Sequence, residues 1–297
     1  MGMTRAWTVV AACAVAGPCA CAKAGSPDQP VDGPTGDASA DGPMRRIDGA
    51  VIDGAIDAMP PPPTTHVVLS EVMLAPTGAE FVEIFNPTSA TVDLSTYWVS
   101  DAGDYWKVPV IGYKPASTDF AGHFPAGATI DPNGVVTMVL GTAQAFKNFT
   151  NIAPDFSLAD GTMVSPYSVA NASLTDAGEV IALFQWDGTA PIVADVDLLE
   201  AGSASATNQL VSKSGVAQGS GQYKADANTI PLQAKAPPSG ESTKRIALEG
   251  VSHEDRSDAG NGITGDDETS EDTTLTWDSS FTSPSPGTVP GTLIQSP

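Results

Sequence analysis

The chain is poor in cysteine and histidine, and this scarcity excludes several kinds of site. Its three cysteines, Cys13, Cys19 and Cys21, all lie within the first 21 of 297 residues. The remaining sequence therefore offers no disulfide framework and no thiolate ligands for structural zinc. The three histidines are too scattered to supply such ligands instead. No apolar run reaches the ~20 residues of a transmembrane helix, and no heptad pattern indicates a coiled coil.

Basic residues are also scarce. The chain has 13 Lys and Arg against 35 Asp and Glu, which gives a formal net charge of -22. A surface of this sign repels the phosphates of nucleic acids and the headgroups of anionic lipids. We therefore predict no nucleic-acid partner, and membrane contact through a lipid anchor only. The same acidity favours solubility and weak attraction for cations.

Residues 1–21 have the pattern of a signal peptide and resemble a bacterial lipoprotein signal. A charged start ends at Arg5, and an apolar run over residues 6–16 leads into small residues and cysteine. We predict lipidation at Cys21, with Cys13 and Cys19 as alternatives, and simple secretion without lipid also stays open. The predicted location is outside the cytoplasm, as an exported lipoprotein of the outer membrane or cell surface.

Residues 22–65 consist mainly of Pro, Gly, Asp and Ala, with four consecutive prolines at 60–63. Such a segment buries too little apolar surface to offset the entropy lost on ordering. We predict a disordered linker that stiffens at its proline end and holds a folded domain away from the membrane.

From residue 66 onward, short β-branched and aromatic runs alternate with turn residues, as is typical of an all-β sandwich. The turn at 132–134 predicts a hairpin between residues 129–130 and 135–140, and Asp187-Gly188 predicts another. One short helix is expected near residues 143–149. The predicted strands cover residues 67–74, 81–85, 91–94, 97–100, 129–130, 135–140, 179–186 and 192–199.

Two later segments have little strand pattern. Residues 203–240 are rich in Ser, Gly and Ala and are interpreted as an insertion, and residues 249–272 as a flexible acidic loop. We expect one domain over residues 66–290 that contains both, followed by a tail at 291–297.

The order of these motifs resembles the lamin tail domain, an immunoglobulin-like β-sandwich that also occurs in secreted bacterial proteins. The resemblance implies that fold and a structural role for the matched side chains. They are Glu71 in Leu-Ser-Glu-Val-Met; Glu80, Phe81, Glu83, Asn86 and Pro87 in Glu-Phe-Val-Glu-Ile-Phe-Asn-Pro; Asp93 in Val-Asp-Leu; Trp98 and Asp101 in Trp-Val-Ser-Asp; and Arg245 and Trp277 in a closing segment.

The matched residues have a plain physical interpretation. Trp98 and Phe81 are expected as core anchors, since each aromatic side chain buries on the order of 150–250 Å². Glu83 is expected to be half-buried and hydrogen-bonded to turn backbone, because an unpaired carboxylate there would cost several kcal/mol. Asn86 is expected to cap the following turn.

Two motifs suggest catalysis or nucleotide binding only superficially. Gly260, Gly262 and Gly265 have the spacing of a dinucleotide fingerprint, but acidic residues follow where a helix should meet phosphate. Asp195 and Asp197 lie two residues apart in a predicted strand, and we interpret them as a solvent-facing edge and not as an acid–base pair. No catalytic residue is predicted.

The acidic loop carries five carboxylates within seven residues, and oxygen ligands of this kind hold extracellular calcium at weak affinity. Calcium is therefore the one cofactor considered, and no other is predicted. The candidate ligands are Asp266, Asp267, Glu268, Glu271 and Asp272.

Taken together, these features predict a monomeric, non-catalytic binding or structural module at the cell surface, whose loops meet a protein or glycan partner. The alternative is an accessory module that positions a separate secreted hydrolase of nuclease or phosphatase type. The lamin tail resemblance underlies both hypotheses.

Overall fold

The chain divides into two units, residues 1–57 and 58–297. In the computed structural model, the described residues are 64–202, 211–224, 233–248, 260–269, 271–289 and 291–294. The whole first unit lies outside these residues. The predicted signal peptide, its three cysteines and nearly all of the predicted linker therefore stay predictions of the sequence.

The described residues contain thirteen short strands and one α-helix, α1 (Ala143–Thr150). In chain order the strands are β1 (Val68–Met73), β2 (Phe81–Phe85), β3 (Val92–Asp93), β4 (Tyr97–Ser100), β5 (Ala121–His123), β6 (Thr129–Ile130), β7 (Val135–Val139), β8 (Phe156–Ser157), β9 (Gly178–Gln185), β10 (Ala194–Gly202), β11 (Ala217–Gln218), β12 (Gly221–Gln222) and β13 (Thr243–Lys244).

Two main sheets make up the fold. The first has the strand order β13-β1-β2-β7-β8 and the second has the order β10-β9-β4-β5. All neighbours pair antiparallel except β7 and β8. Two small pairs, β3 with β6 and β11 with β12, complete the strands. The predicted all-β fold is thereby confirmed. Among the described residues, no helix has the length and hydrophobicity to span a bilayer.

The main core lies between the two sheets. Leu69, Val82 and Met138 face it from the first sheet, and Val99 and Leu183 face it from the second. Because strand side chains alternate between faces, an uninterrupted β1 could not turn both residue 69 and residue 72 inward. A register shift between residues 69 and 71 makes this possible and leaves the Glu71 side chain on the other face.

The outer faces of both sheets are also covered. On the first sheet, Phe146 of α1 packs edge-on against Phe81, with 5.4 Å between ring centroids. On the second sheet, the 3₁₀ turn Tyr105–Lys107 and residues 211–224 enclose a group of rings that we call the aromatic cluster. Its members are Trp98, Tyr105, Trp106, Phe184 and Tyr223.

One predicted connection is wrong. Residues 129–130 and 135–139 do not form a hairpin, because β6 pairs with β3 while β7 pairs with β2 in the first sheet. The turn between them holds the backbone of Asn86 instead. The Asn86 N–H donates to the carbonyl of Gly134, and its own carbonyl accepts from the N–H of Asn133. Pro-Asn-Gly predicts a turn correctly, but turn chemistry does not specify which strands pair afterwards.

Candidate functional site

A buried ion pair joins the two sheets. Arg245, which follows β13, donates from Nη2 to both carboxylate oxygens of Asp197 in β10, at 2.7 Å each. Its Nε donates to the carbonyl of Leu69 in β1 at 2.7 Å, and the Leu69 N–H donates back to Asp197 Oδ2 at 2.6 Å. The guanidinium also lies 5.1 Å from the ring centroid of Trp277. We call this arrangement the junction.

The described part of the acidic loop, from residue 260 onward, contributes to the junction, so the interpretation as a flexible loop is wrong for these residues. Glu268 and Glu271 are buried, and one oxygen of each lies within 4.8 Å of a carboxylate oxygen of Asp197. Arg245 occupies both oxygens of Asp197, so the guanidinium is the cation that the structure places among these groups. Calcium binding here stays a prediction.

The other three calcium candidates do not join this group. Asp267 is buried, and its Oδ1 accepts from the N–H and the hydroxyl of Thr269. Asp266 and Asp272 are partly exposed, and each accepts a hydrogen bond from the hydroxyl of a threonine two residues away. Such local bonds are typical of Asx turns and need no metal.

Asp195 and Asp197 do not form a solvent-facing edge. Both are buried, and a register shift between them leaves Val196 as an extra residue in β10. Asp195 reaches the aromatic cluster, where Tyr105 donates to it at 2.6 Å and the ammonium of Lys213 lies 2.8 Å away. The prediction was wrong because strict alternation assumes a regular strand, and a bulge breaks it.

Glu71 and Glu83 hold the closing segment against the outer face of the first sheet. Glu71 accepts hydrogen bonds from the N–H and the hydroxyl of Ser285, and Glu83 accepts one from the N–H of Gly287. Glu83 also accepts from the Ser70 hydroxyl at 2.9 Å. It is fully buried, which is deeper than the expected half-burial.

Most of the remaining residues of the lamin-tail-like motifs are buried or bonded to the backbone of nearby turns and loops. Asn86 caps its turn: Oδ1 accepts from the Thr88 N–H, and Nδ2 donates to the carbonyls of residues 90 and 130. Asp93 is exposed, and Glu80 accepts from the N–H of Leu174 at 2.9 Å. Asp101 accepts from the Phe120 N–H, and burial raises its pKa well above the usual range. The buried members are Glu80, Phe81, Asn86, Pro87, Trp98, Asp101 and Trp277.

Burial also raises the pKa of three glutamates to about 7. They are Glu83, Glu179 and Glu200, and in each case desolvation outweighs the hydrogen bonds that favour the charged form. Glu179 accepts from the N–H groups of Thr175 and Val180, and Glu200 accepts from the amide of Gln233 at 3.0 Å. These carboxyl groups therefore titrate near neutral pH in the folded chain.

The segment that contains Gly260, Gly262 and Gly265 packs alongside β10 and does not form a phosphate loop. We call this segment the glycine wall. The N–H of Asp195 donates to the carbonyl of Asn261, and the N–H of Ile263 donates to the carbonyl of Asp195. Gly262 thus forms a parallel bridge with β10, and residues 266–269 are not helical. A side chain at Gly260 would collide with the backbone of Asp266 and Asp267, so glycine is required there for packing.

Beside this wall lies an open groove of about 570 Å³. The β9–β10 turn forms a second side, and residues 222–224 form a third. Trp186 is half-buried there, its indole N–H bonded to the carbonyl of Ala190 at 2.8 Å, and its ring centroid lies 5.6 Å from that of Trp98. The polar side chains that line the groove are Thr96, Gln185, Asp187, Gln222, Lys224 and Asn261.

The groove combines an aromatic ring with amide side chains and nearly balanced charge. Gln185, Gln222 and Asn261 each carry a donor and an acceptor, while Lys224 and Asp187 supply one charge of each sign. Pockets of this kind, apolar in part with a few placed polar groups, are typical ligand sites. Sequence reasoning missed it because its sides come from three distant segments.

One family model matches the first part of the domain. Residues 60–199 match the model of the Lamin Tail Domain family. The match ends before Arg245 and Trp277, so the closing segment lies outside it. No curated protein is significantly similar to the chain.

A solved structure similar to this one is a DUF4876 family protein from Bacteroides thetaiotaomicron. The two chains are 13% identical, with a TM-score of 0.38, and the similarity covers 72% of this chain and 71% of the other.

We expect replacement of Arg245 to destabilise the domain strongly. Arg245→Met should lower the free energy of unfolding by about 3–5 kcal/mol, because it leaves the Asp197 carboxylate buried without its cation. Lys244→Met is the matched control: its ammonium lies 3.9 Å from Glu71 and is partly exposed, so we expect a loss below about 1 kcal/mol. Urea denaturation measures both, and equal losses would contradict a central role for the junction.

Stability should fall as pH rises through neutrality. Carboxyl groups with a folded pKa of about 7, against 4.5 when unperturbed, bind more protons in the folded than in the unfolded chain between those values. Their contribution to the free energy of unfolding is complete below about pH 4.5 and is lost above about pH 7. The loss is on the order of 3 kcal/mol per group.

The measurement is urea denaturation at pH 5, 6.5 and 8 at constant ionic strength. Glu200→Gln should flatten the decline. Asp93→Asn should not, because Asp93 is exposed and hydrogen bonds from Ser95 lower its pKa. A free energy of unfolding that is constant or rises from pH 5 to pH 8 would contradict this account.

Proposed function

We propose that the domain whose residues 60–199 match the Lamin Tail Domain model serves as a non-enzymatic cell-surface module that binds a glycan. The binding site is the groove beside Trp186. The observation that carries the proposal is the combination of a half-buried indole with three amide side chains in one open groove.

The chemistry of the groove suits a sugar. A pyranose presents C–H groups on its flat face and hydroxyl groups around its edge. An indole supplies an apolar surface for the face, and its rigidity limits the entropy lost on binding. The amides of Gln185 and Gln222 can donate to and accept from hydroxyl groups. The open form of the groove is compatible with a chain of sugars as well as a single ring.

Charge favours a neutral glycan over an acidic one. Lys224 and Asp187 give the groove no strong excess of either sign. The whole chain carries a net charge of -22, so sulfated or uronic-acid polymers would approach a repulsive field. A neutral saccharide meets no such barrier.

The proposed tether places this groove outside the cell. A lipidated Cys21 would anchor the chain, and residues 22–65 would hold the domain away from the bilayer. The acidic surface would limit adsorption to anionic headgroups, which leaves the groove accessible.

Binding can be tested on an array of neutral and acidic glycans with the purified chain. We expect binding to neutral glycans, and Gln222→Ala should weaken it about 2- to 10-fold, the value of one hydrogen bond. Gln144→Ala is the matched control: both glutamines are exposed and donate one intramolecular hydrogen bond, but Gln144 lies on α1 outside the groove.

Two outcomes would contradict the proposal. Equal affinity of the Gln222→Ala and control variants would mean that the glycan binds elsewhere. Absence of glycan binding, together with reproducible copurification of one secreted hydrolase from the native cell surface, would favour the accessory role.

The tether has its own test. Cys21→Ser should move the protein from the membrane fraction to the soluble fraction, and intact-mass spectrometry of the membrane-extracted wild type should show acyl chains on Cys21. Cys13→Ser is the control and should stay in the membrane fraction. A wild-type protein that is soluble and unacylated would contradict lipidation.

A further inference from the structure

The aromatic cluster encloses a lysine and an aspartate in contact. Lys213 and Asp195 are 0% and 2% exposed, and Nζ of the lysine lies 2.8 Å from Oδ2 of the aspartate. Lysine is rarely buried so completely, because its ammonium loses its hydration. The pair also joins two parts of the domain, since Asp195 belongs to β10 and Lys213 belongs to the predicted insertion.

Aromatic side chains lie beside the pair, and one of them, Tyr105, bonds to the aspartate through its hydroxyl. The rings of Tyr105 and Phe184 pack in a tilted arrangement with 5.0 Å between their centroids, and the Lys213 ammonium lies 5.8 Å from the Tyr105 centroid. The Tyr105 hydroxyl donates to Asp195 Oδ1 at 2.6 Å. The two carboxylate oxygens therefore have different partners: Oδ1 has the phenol, and Oδ2 has the lysine nitrogen.

The backbone fixes the aspartate in this position. The N–H and the carbonyl of Asp195 are both bonded to the glycine wall, through Asn261 and Ile263. On the other side, Tyr223 accepts from the N–H of Val193 at 3.0 Å and donates to the carbonyl of Trp106 at 2.8 Å. Residues 211–224 thereby dock directly beside β10.

We propose that Lys213 and Asp195 condense spontaneously to an isopeptide bond. A proton moves from the ammonium to Oδ2, which leaves a neutral amine in contact with a carboxylic acid. The amine nitrogen then attacks Cγ to form the C–N bond of a tetrahedral intermediate, and the C–Oδ2 bond breaks when that intermediate collapses. The second proton of the nitrogen goes to the departing hydroxyl, so one water molecule leaves and no oxidant or reductant is required.

The site supplies what this reaction needs. The fold holds the amine and the carboxyl group in contact, so the two groups do not have to meet by diffusion. Reacting groups that are held in good orientation behave as if present at effective concentrations of about 10⁵–10⁸ M. Tyr105 donates to Oδ1, the oxygen that carries the negative charge of the tetrahedral intermediate, and would stabilise it. Tyr105 is thus a catalytic residue for this one internal reaction, which is independent of any ligand in the groove.

The bond would cross-link a chain that has no cysteine after residue 21 and so cannot form disulfides in its folded domain. It would close the loop between residues 195 and 213 covalently and fix the 211–224 segment, one side of the groove, to β10. A cross-link of this kind stabilises mainly by restricting the unfolded chain, as a disulfide does.

Mass spectrometry of the purified full chain tests the proposal. The wild type should be lighter than its sequence by the mass of one water molecule. Trypsin should fail to cleave after Lys213, and the digest should contain a branched peptide with both residues. Lys213→Arg and Asp195→Ala should each restore the full mass, whereas Lys244→Arg should keep the loss. Tyr105→Phe should raise the uncondensed fraction in freshly made protein.

The wild-type measurement decides the matter even if a variant fails to fold. A folded wild type of full mass, with ordinary cleavage after Lys213, would overturn the proposal. Loss of water without the branched peptide would also overturn it, because a succinimide elsewhere would explain the mass.

Discussion

The junction of Asp197 with Arg245 is the constraint on which the rest of the domain depends. It joins β1 to β10 across the two sheets and connects both to the closing segment through Trp277. A buried ion pair contributes little net free energy compared with apolar packing, because both charges lose hydration. Its role here is geometric, because this alignment of the two sheets satisfies the guanidinium, the carboxylate and the Leu69 backbone together.

The same logic explains how so acidic a chain forms apolar cores. Several carboxylates are inside, and they act as acceptors for backbone N–H groups that would otherwise lack partners. Glu80, Glu83 and Asp101 each take such a bond from a distant loop. Desolvation raises their pKa, so protonation relieves part of the charge that burial would isolate. Acidic residues therefore replace disulfides as the means of attaching loops.

Local pattern was sufficient for several of the strands and insufficient for the sites. The segments 81–85 and 97–100 were predicted because β-branched and aromatic residues lie between turn signals, and the structure has β2 and β4 there. The partners of Asp197 are 48 and 128 residues away, and no local signal relates them. The groove likewise joins Trp186 to residues near 222 and 261. Such contacts are set by the folded topology, which a single sequence does not display.

The bulge at Val196 connects these separate observations. In a regular strand, residues 195 and 197 would point to the same face. The extra residue instead lets Asp197 reach Leu69 of the opposite sheet while Asp195 enters the aromatic cluster. One irregularity thus serves both the junction that aligns the sheets and the contact that docks the 211–224 segment. Since that segment forms one side of the groove, the binding surface that we propose is built on the same bulge as the core. Bulges that redirect side chains in this way are design features of sheets and not defects.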